Sequence, residues 1–312
     1  MFFKTIGVAV MLFFAHDCDK TVVYYDEADQ ATASGSPMSM ALPASATGKV
    51  GYVHKSTLDE LANIAEDGTE IICVSGARGA TMATRQPYFP MISWWICENG
   101  GRIFKASPSG ESMEELETYK DHVNSMTSPE QWRALELFAS NLQKEGWKVD
   151  RESYVTMIRI SKGSIRDGDV TSLEARIPPE LQHTYNLGHL DVQLPGLGKK
   201  RSVEWLIDAI TKETHGSDHA SEYLFFGDDD NDIEALSGAK EAFLAVPHSR
   251  AVGAWLEEWR QAPEGSSAQG RPQKVTVPPD GVEGHDGAVF LLQRARASLR
   301  DRRSRNTPSD GI

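Results

Sequence analysis

Asp17 and Asp19 end an apolar run in "FFAHDCDKTVVYY", at a spacing of two, with Thr21 two residues further on. A second acidic group, "GDDDND" at residues 227–232, follows the apolar run "EYLFF". Between them, "EIICVSG" ends in Ser75 and Gly76, and "LPGLGKKRSVEWL" carries Lys199 where a helix should open. Carboxylates two apart on an extended chain point to the same side. Bringing Asp17, Asp228 and Asp232 together costs like-charge repulsion, which a divalent cation would offset. A ligand set of oxygens alone suits magnesium best. Each signal is weak by itself, since acidic pairs are common in loops and Ser-Gly after a strand is usually a turn. Three such signals in order, each directly after a buried strand and with a lysine between, are much stronger.

These residues need elements to position them. Ile6 to Phe14 reads as a fully buried strand, apolar throughout, with "EIICVS" and "SWWIC" as a second and a third. "DEADQATASGSPMSMALPASATGKVG" is rich in Ala, Ser, Thr and Pro and reads as a long loop. "STLDELANIAEDG" reads as a helix with Ser56 as N-cap, Asp59 three residues on and Gly68 as stop. After "ENGGRIF" the pattern changes. "SPEQWRALELFASNLQKEG" is an amphipathic helix capped by Ser128, with Pro129 at its first position. "SYVTMIRIS" and "HLDVQL" read as strands. From Lys199 the βα alternation resumes: helix "KRSVEWLIDAITKE", strand "EYLFF", short helix "NDIEALSGA", strand "AFLAV", helix "RAVGAWLEEWRQA", and a last helix "DGAVFLLQRARASLR". The expected fold is α/β: a doubly wound, parallel-sheet, Rossmann-like core over 1–104 and 194–300, with an α+β module inserted at 105–193. Residues 301–312 are expected to be a disordered tail. In such a sheet the site lies at the carboxyl ends of the strands.

Composition narrows the function classes. The chain has 312 residues, 40% of them hydrophobic, and a net charge of -13. Nucleic-acid binding calls for a basic patch, so no nucleic-acid partner is expected. Cys18, Cys73 and Cys97 form neither a metal-type pair nor an even set, which fits a reducing compartment. "MFFKTIGVAVMLFFA" has the outline of a signal peptide but no A-x-A-like cleavage site, and cleavage near Ala15 would remove the strand holding Asp17. The expectation is a cytoplasmic protein without a membrane span, secretion being the minority reading.

The motifs admit several chemistries. An ion-pump reading of Asp19 needs D-K-T-G-T, but Val22 and Val23 follow Thr21. A metal-binding D-x-D of a sugar-nucleotide glycosyltransferase leaves "GDDDND" and Lys199 unexplained. A non-catalytic phosphosugar-binding protein on the same fold predicts a lost motif carboxylate, and none is missing. The ordered set resembles the haloacid dehalogenase superfamily of phosphohydrolases. Asp17, Asp19 and Thr21 match its D-x-D-x-T, Ser75 its second motif, Lys199 its third, and Gly227, Asp228, Asn231 and Asp232 its G-D-x-x-N-D. "ENGGRIF" is similar to the N-G-x-x-I segment of the Cof-like and sucrose-phosphate phosphatase branch, whose cap lies between the second and third motifs. Lys200 is the alternative third-motif lysine.

The resemblance implies a phosphatase that hydrolyses a phosphorylated sugar or similar small metabolite through an aspartyl-phosphate. It implies Asp17 as nucleophile and Asp19 as acid and base. It places Mg2+ on Asp17, the Asp19 backbone carbonyl and Asp228, with Asp232 behind, and phosphate on Ser75, Gly76 and Lys199, with Asn231 orienting the loop. The inserted module would be a cap that reads the leaving group. Arg78 and Arg85 are expected on the exposed surface, His16 as a packed residue, and Cys18 as a small filler. His215 and His219 lie in a Gly-Ser loop and are assigned no site.

Overall fold

The computed structural model describes residues 11–25, 39–45, 48–107, 109–165, 169–215, 221–246, 248–262 and 271–306. The chain opens with β1 (Leu12–Asp17), β2 (Ser39–Ala41), β3 (Tyr52–His54), α1 (Lys55–Glu66), β4 (Glu70–Val74), α2 (Gly79–Arg85), β5 (Trp94–Cys97), β6 (Arg102–Ala106) and β7 (Met113–Glu115). Then follow α3 (Glu117–Met126), α4 (Pro129–Lys144), β8 (Val149–Asp150), β9 (Met157–Ile160), α5 (Asp169–Glu174), β10 (Gln182–Asn186) and β11 (His189–Gln193). The rest is α6 (Lys199–His215), β12 (Glu222–Gly227), α7 (Ile233–Gly238), β13 (Glu241–Leu244), α8 (Arg250–Gln261), β14 (Lys274–Thr276) and α9 (Gly284–Asn306).

Among the described residues the main sheet has eight strands in the order β14-β13-β12-β1-β4-β5-β6-β7. β1 lies at its centre, parallel to β12 on one side and β4 on the other. Every residue of β1 is buried, and successive side chains serve opposite faces. Phe13 and Ala15 join a core with Leu206 of α6, Ala235 of α7 and Phe225. Leu12 and Phe14 join another with Leu61 and Ile64 of α1 and Leu291 and Leu292 of α9. That is why the strand reads as unbroken apolar sequence: helices cover both sides. The register sets Asp17 beside Val74, so Asp17, Ser75 and Asp228 emerge at one edge.

A second sheet, antiparallel with order β10-β11-β9-β8, comes from residues 149–193. α4 packs on it through Leu135, Phe138, Ala139 and Leu142, and Ser128 with Gln131 forms a capping box at its start.

Several sequence expectations shift. β6 and β7 run antiparallel to β5 and extend the main sheet. Lys105, Ala106 and Met113–Glu115 therefore belong to that sheet, although they fall within the stretch expected as the inserted module. Residues 301–306, expected in a disordered tail, are helical. α9 continues because Arg300 pairs with Asp67, and Arg302 with Glu222 and Glu241, which ties its last turns to the core. His54, not Ser56, caps α1: its ring accepts from the Ser56 amide, and the helix starts at Lys55. β2, inside the expected long loop, pairs with β3 just beyond it, and β14 adds an edge strand that the sequence reading did not assign. Residues 6–10 of the expected first strand, residues 26–38 of the loop, residues 307–312 and His219 lie outside the described residues. No helix among the described residues is long and apolar enough to cross a membrane.

Candidate active site

Asp17 ends β1, Asp228 follows β12, and Asp232 closes the turn before α7. Each brings one carboxylate oxygen within 4.8 Å of the other two. All three are buried. Lys199, the first residue of α6 and only 2% exposed, donates to Asp17 Oδ1 at 2.5 Å and to Asp232 Oδ1 at 2.7 Å. Lys200 turns away, toward Glu204 and the backbone at Gly238. Of the two candidate lysines, Lys199 is the one that meets the carboxylates. Thr21 Oγ1 donates to Asp228 Oδ1 at 3.1 Å. Asp232 Oδ2 accepts from the Asp228 and Asp229 amides at 3.0 and 3.1 Å, folding the loop on itself. The turn needs glycine at Gly227, since an added Cβ would stand 2.7 Å from the Asp232 carboxylate.

The electrostatics follow from crowding. Burial pushes the Asp17 carboxyl well above the usual carboxylate range. Lys199 opposes that shift, and Asp232 and Asp19 add to it. Burial also raises Asp228, reinforced by Asp17, Asp232 and Asp229. Burial alone would lower Lys199, but Asp17 and Asp232 outweigh it and hold the ammonium charged. Three carboxylates therefore face one cation. The donors are all oxygen and the excess charge is negative, so the residues present fit a hard divalent ion such as Mg2+. His16 is fully buried, contacts the Asp17 carbonyl at 2.7 Å, and is pushed down to about 4 by desolvation, so it is neutral packing.

Ser75 and Gly76 leave β4 beside this cluster. Ser75 Oγ accepts from the Ala77 amide at 3.0 Å, which leaves its own proton to donate. Asn231 Nδ2 donates to Asn99 Oδ1 at 2.9 Å, so its bond is to the core loop.

Asp19 lies outside the three-carboxylate cluster. Its Oδ1 accepts from Tyr25 Oη at 2.5 Å and from Arg85 Nη1 at 3.0 Å. Arg85 is 1% exposed and also reaches Cys18 Sγ at 3.7 Å. The surface placement expected for Arg85 is thus wrong: α2 turns its last residue inward, under the first motif. Arg78 is largely covered as well, pairing with Asp150 and lying over the Tyr154 ring. Cys18, Cys73 and Cys97 are all buried and unpaired by disulfide.

The residues that join the second sheet to this site were not singled out from the sequence. Glu98 and Asn99, in "ENGG", both have positive φ, 55° and 52°. That conformation is uncommon for residues other than glycine, though more accessible to asparagine, and it aims both side chains across the junction. Glu98 Oε2 accepts from the amides of Val155 and Thr156 and from Thr156 Oγ1, at 2.8–2.9 Å. Asn99 Nδ2 donates to Asp191 Oδ2 at 2.8 Å. Arg159 on β9 grips both oxygens of Asp191 at 2.6 Å, and its Nη2 reaches the Gly76 carbonyl at 3.0 Å. The Leu187 amide donates to Asp229 Oδ2 at 2.6 Å. Two signals were available in advance: the "ENGGRIF" segment, which holds Glu98 and Asn99, and polar residues on otherwise apolar strands, such as Arg159 in "MIRI" and Asp191 in "HLDVQL".

No protein-family model matches the chain, and no curated protein matches it by sequence. Solved structures do match by shape. The sucrose-phosphatase of Synechocystis sp. PCC6803, in complex with sucrose and phosphate, aligns with a TM-score of 0.57 at 12% identity, covering 92% of this chain and 98% of that one. The HAD subclass IIB sugar phosphatase BT4131 aligns at 0.56 and 15% identity, covering 92% and 99%. The Thermoplasma acidophilum protein 0175 aligns at 0.56 and 12% identity, covering 92% and 99%. The chain has the fold of the haloacid dehalogenase superfamily, with an α/β core and an additional antiparallel sheet.

Proposed function

We propose that this protein is a Mg2+-dependent phosphomonoesterase acting on a phosphorylated sugar or similar small metabolite. One observation carries the reading: a buried Asp17–Lys199–Asp232 contact with Asp228, at strand ends, beside Ser75 and Gly76. A nucleophilic carboxylate, a cation beside it and a phosphate-binding turn are what phosphoryl transfer through an enzyme ester requires.

In this reading an Asp17 oxygen attacks phosphorus and the bond to the ester oxygen breaks. Asp19, protonated, gives its proton to that oxygen as it leaves. Water then attacks the aspartyl-phosphate, losing a proton to Asp19, and phosphate departs with Asp17 restored. Lys199 favours the ionised form of Asp17 against the burial that disfavours it, and Ser75 Oγ and the Gly76 amide hold phosphoryl oxygens. Thr21 fixes Asp228, and Asp232 fixes the Asp228–Asp229 turn. Mg2+, held by Asp17, the Asp19 carbonyl and Asp228 with Asp232 behind, would offset the repulsion between carboxylate and phosphate. The module from Glu117 to Gln193 serves as cap, closing over the site to exclude water. The test is a screen of purified protein against phosphorylated sugars and other phosphomonoesters, with and without Mg2+. Mg2+-dependent phosphate release supports the reading. No release from any ester, p-nitrophenyl phosphate included, sinks it.

A further inference from the structure

Two donors from the second sheet converge on Gly76. An added Cβ there would stand 2.0 Å from Asn186 Nδ2 and 3.0 Å from Arg159 Nη2. Arg159 spends Nε and Nη2 on Asp191 and on the Gly76 carbonyl. Among the described residues neither Arg159 Nη1 nor Asn186 Nδ2 has a hydrogen-bond partner, and neither is sealed from solvent. Burial alone would lower Arg159, but Asp191 outweighs it, with a smaller contribution from Asp19, and holds the guanidinium charged beside the Gly76 carbonyl.

The surrounding bonds hold both donors in place. Asp191 is fully buried and accepts from Asn99 as well as from Arg159. The Leu187 amide pins the hairpin of Asn186 to Asp229 of the core. A residue that only glued the two sheets together would turn all its donors to protein. Here donors are left over beside Gly76, in the loop expected to hold the phosphoryl group.

We infer that Arg159 and Asn186 determine specificity: Arg159 Nη1 and Asn186 Nδ2 donate to acceptor oxygens that the leaving group carries next to the ester oxygen. This rests on the phosphatase reading and extends it to two residues. Asp191 and Asn99 are positioning residues for Arg159. The ligand chemistry is an oxygen acceptor beside the ester, either a hydroxyl of a polyol or a carboxylate.

Asn186→Ala is the cleaner variant, because among the described residues no hydrogen bond runs through that side chain. Arg159→Met leaves Asp191 exposed to an unpaired burial, so it is paired with Arg159→Met/Asp191→Leu. Values of kcat/KM are measured on p-nitrophenyl phosphate, hexose 6-phosphates and 2-phosphoglycerate, which separate hydroxyl from carboxylate. The expected result is a wild type that favours one of the oxygen-bearing esters. Asn186→Ala then loses roughly 10-fold on that ester and the Arg159 variants roughly 10- to 100-fold. All should stay within about 2-fold on the aryl ester. Equal loss on all esters, no loss on any, or a wild type that favours p-nitrophenyl phosphate overturns the assignment while leaving the phosphatase reading intact. No turnover of any ester overturns both.

Discussion

Replacing Lys199 with methionine should turn a neutralised cluster into a repulsive one. Lys199 is the cation in contact with Asp17 and Asp232, and Asp228 shares the same space. Removing one partner of a buried charge pair costs ~3–5 kcal/mol, because the other charge stays buried and uncompensated. At ~2–4 °C per kcal/mol for a chain somewhat shorter than this one, the melting midpoint in EDTA should fall on the order of 10 °C. The loss should be smaller at acidic than at neutral pH, because the raised Asp17 and Asp228 carboxyls take up protons as the pH falls and so relieve the repulsion. Saturating MgCl2 should restore more stability to the variant than to the wild type. The ammonium occupies the neighbourhood a divalent ion would enter, and a single and a double charge ~4 Å apart repel by roughly 8 kcal/mol at an effective dielectric of about 20. Scanning calorimetry with EDTA or MgCl2, at both pH values, reads all of this. A midpoint unchanged in EDTA, or an equal Mg2+ shift in both proteins, would refute the charge balance described for the cluster.

Other outcomes follow from the same geometry. Asp17 and Asp228 have folded pKa values raised above 3.8, so the folded state binds more protons than the unfolded one above that value. Their contribution is complete below it and lost as pH rises through the raised values. The melting midpoint in EDTA should therefore decline as pH rises above the ordinary carboxylate range, with a smaller decline in Mg2+; parallel curves would contradict this. Gly76→Ala should drive its Cβ into Asn186 and Asn99, costing ~1–3 kcal/mol of stability along with activity; a wild-type melt and rate would show that the loop gives way freely. Asp19→Asn should slow phosphoenzyme formation from sugar phosphates far more than from p-nitrophenyl phosphate, whose phenolate leaves without a proton. Rapid-quench traces that fall equally for both esters would remove Asp19 as the acid.

Much of the core was legible because its signal is local. The strands of Asp17, Ser75 and Asp228 are covered on both faces, so they read as apolar runs, and their ends mark where the polar groups emerge. Ser128 announced α4 by its capping chemistry. The junction was not legible. Arg85 meets Asp19, Arg159 meets Gly76, and Asn99 meets both Asp191 and Asn231 only once distant segments pack together. No spacing in the sequence encodes those meetings. β6 and β7 were misplaced because short antiparallel strands with alternating polar residues, such as "RIFKA" and "MEE", look alike whether they extend one sheet or begin another. The helical residues 301–306 were missed because their arginines read as solvated charge, whereas Arg302 reaches Glu222 and Glu241 in the core.

Asp17 is the group proposed to take the phosphoryl. The most direct measurement is rapid-quench trapping of wild-type protein during turnover of a phosphomonoester with Mg2+, followed by mass spectrometry of the peptide containing residues 12–25. Phosphate on Asp17, absent in Asp17→Asn along with turnover, is the predicted result. Phosphate on Asp19 instead, or undiminished turnover in Asp17→Asn, would contradict it.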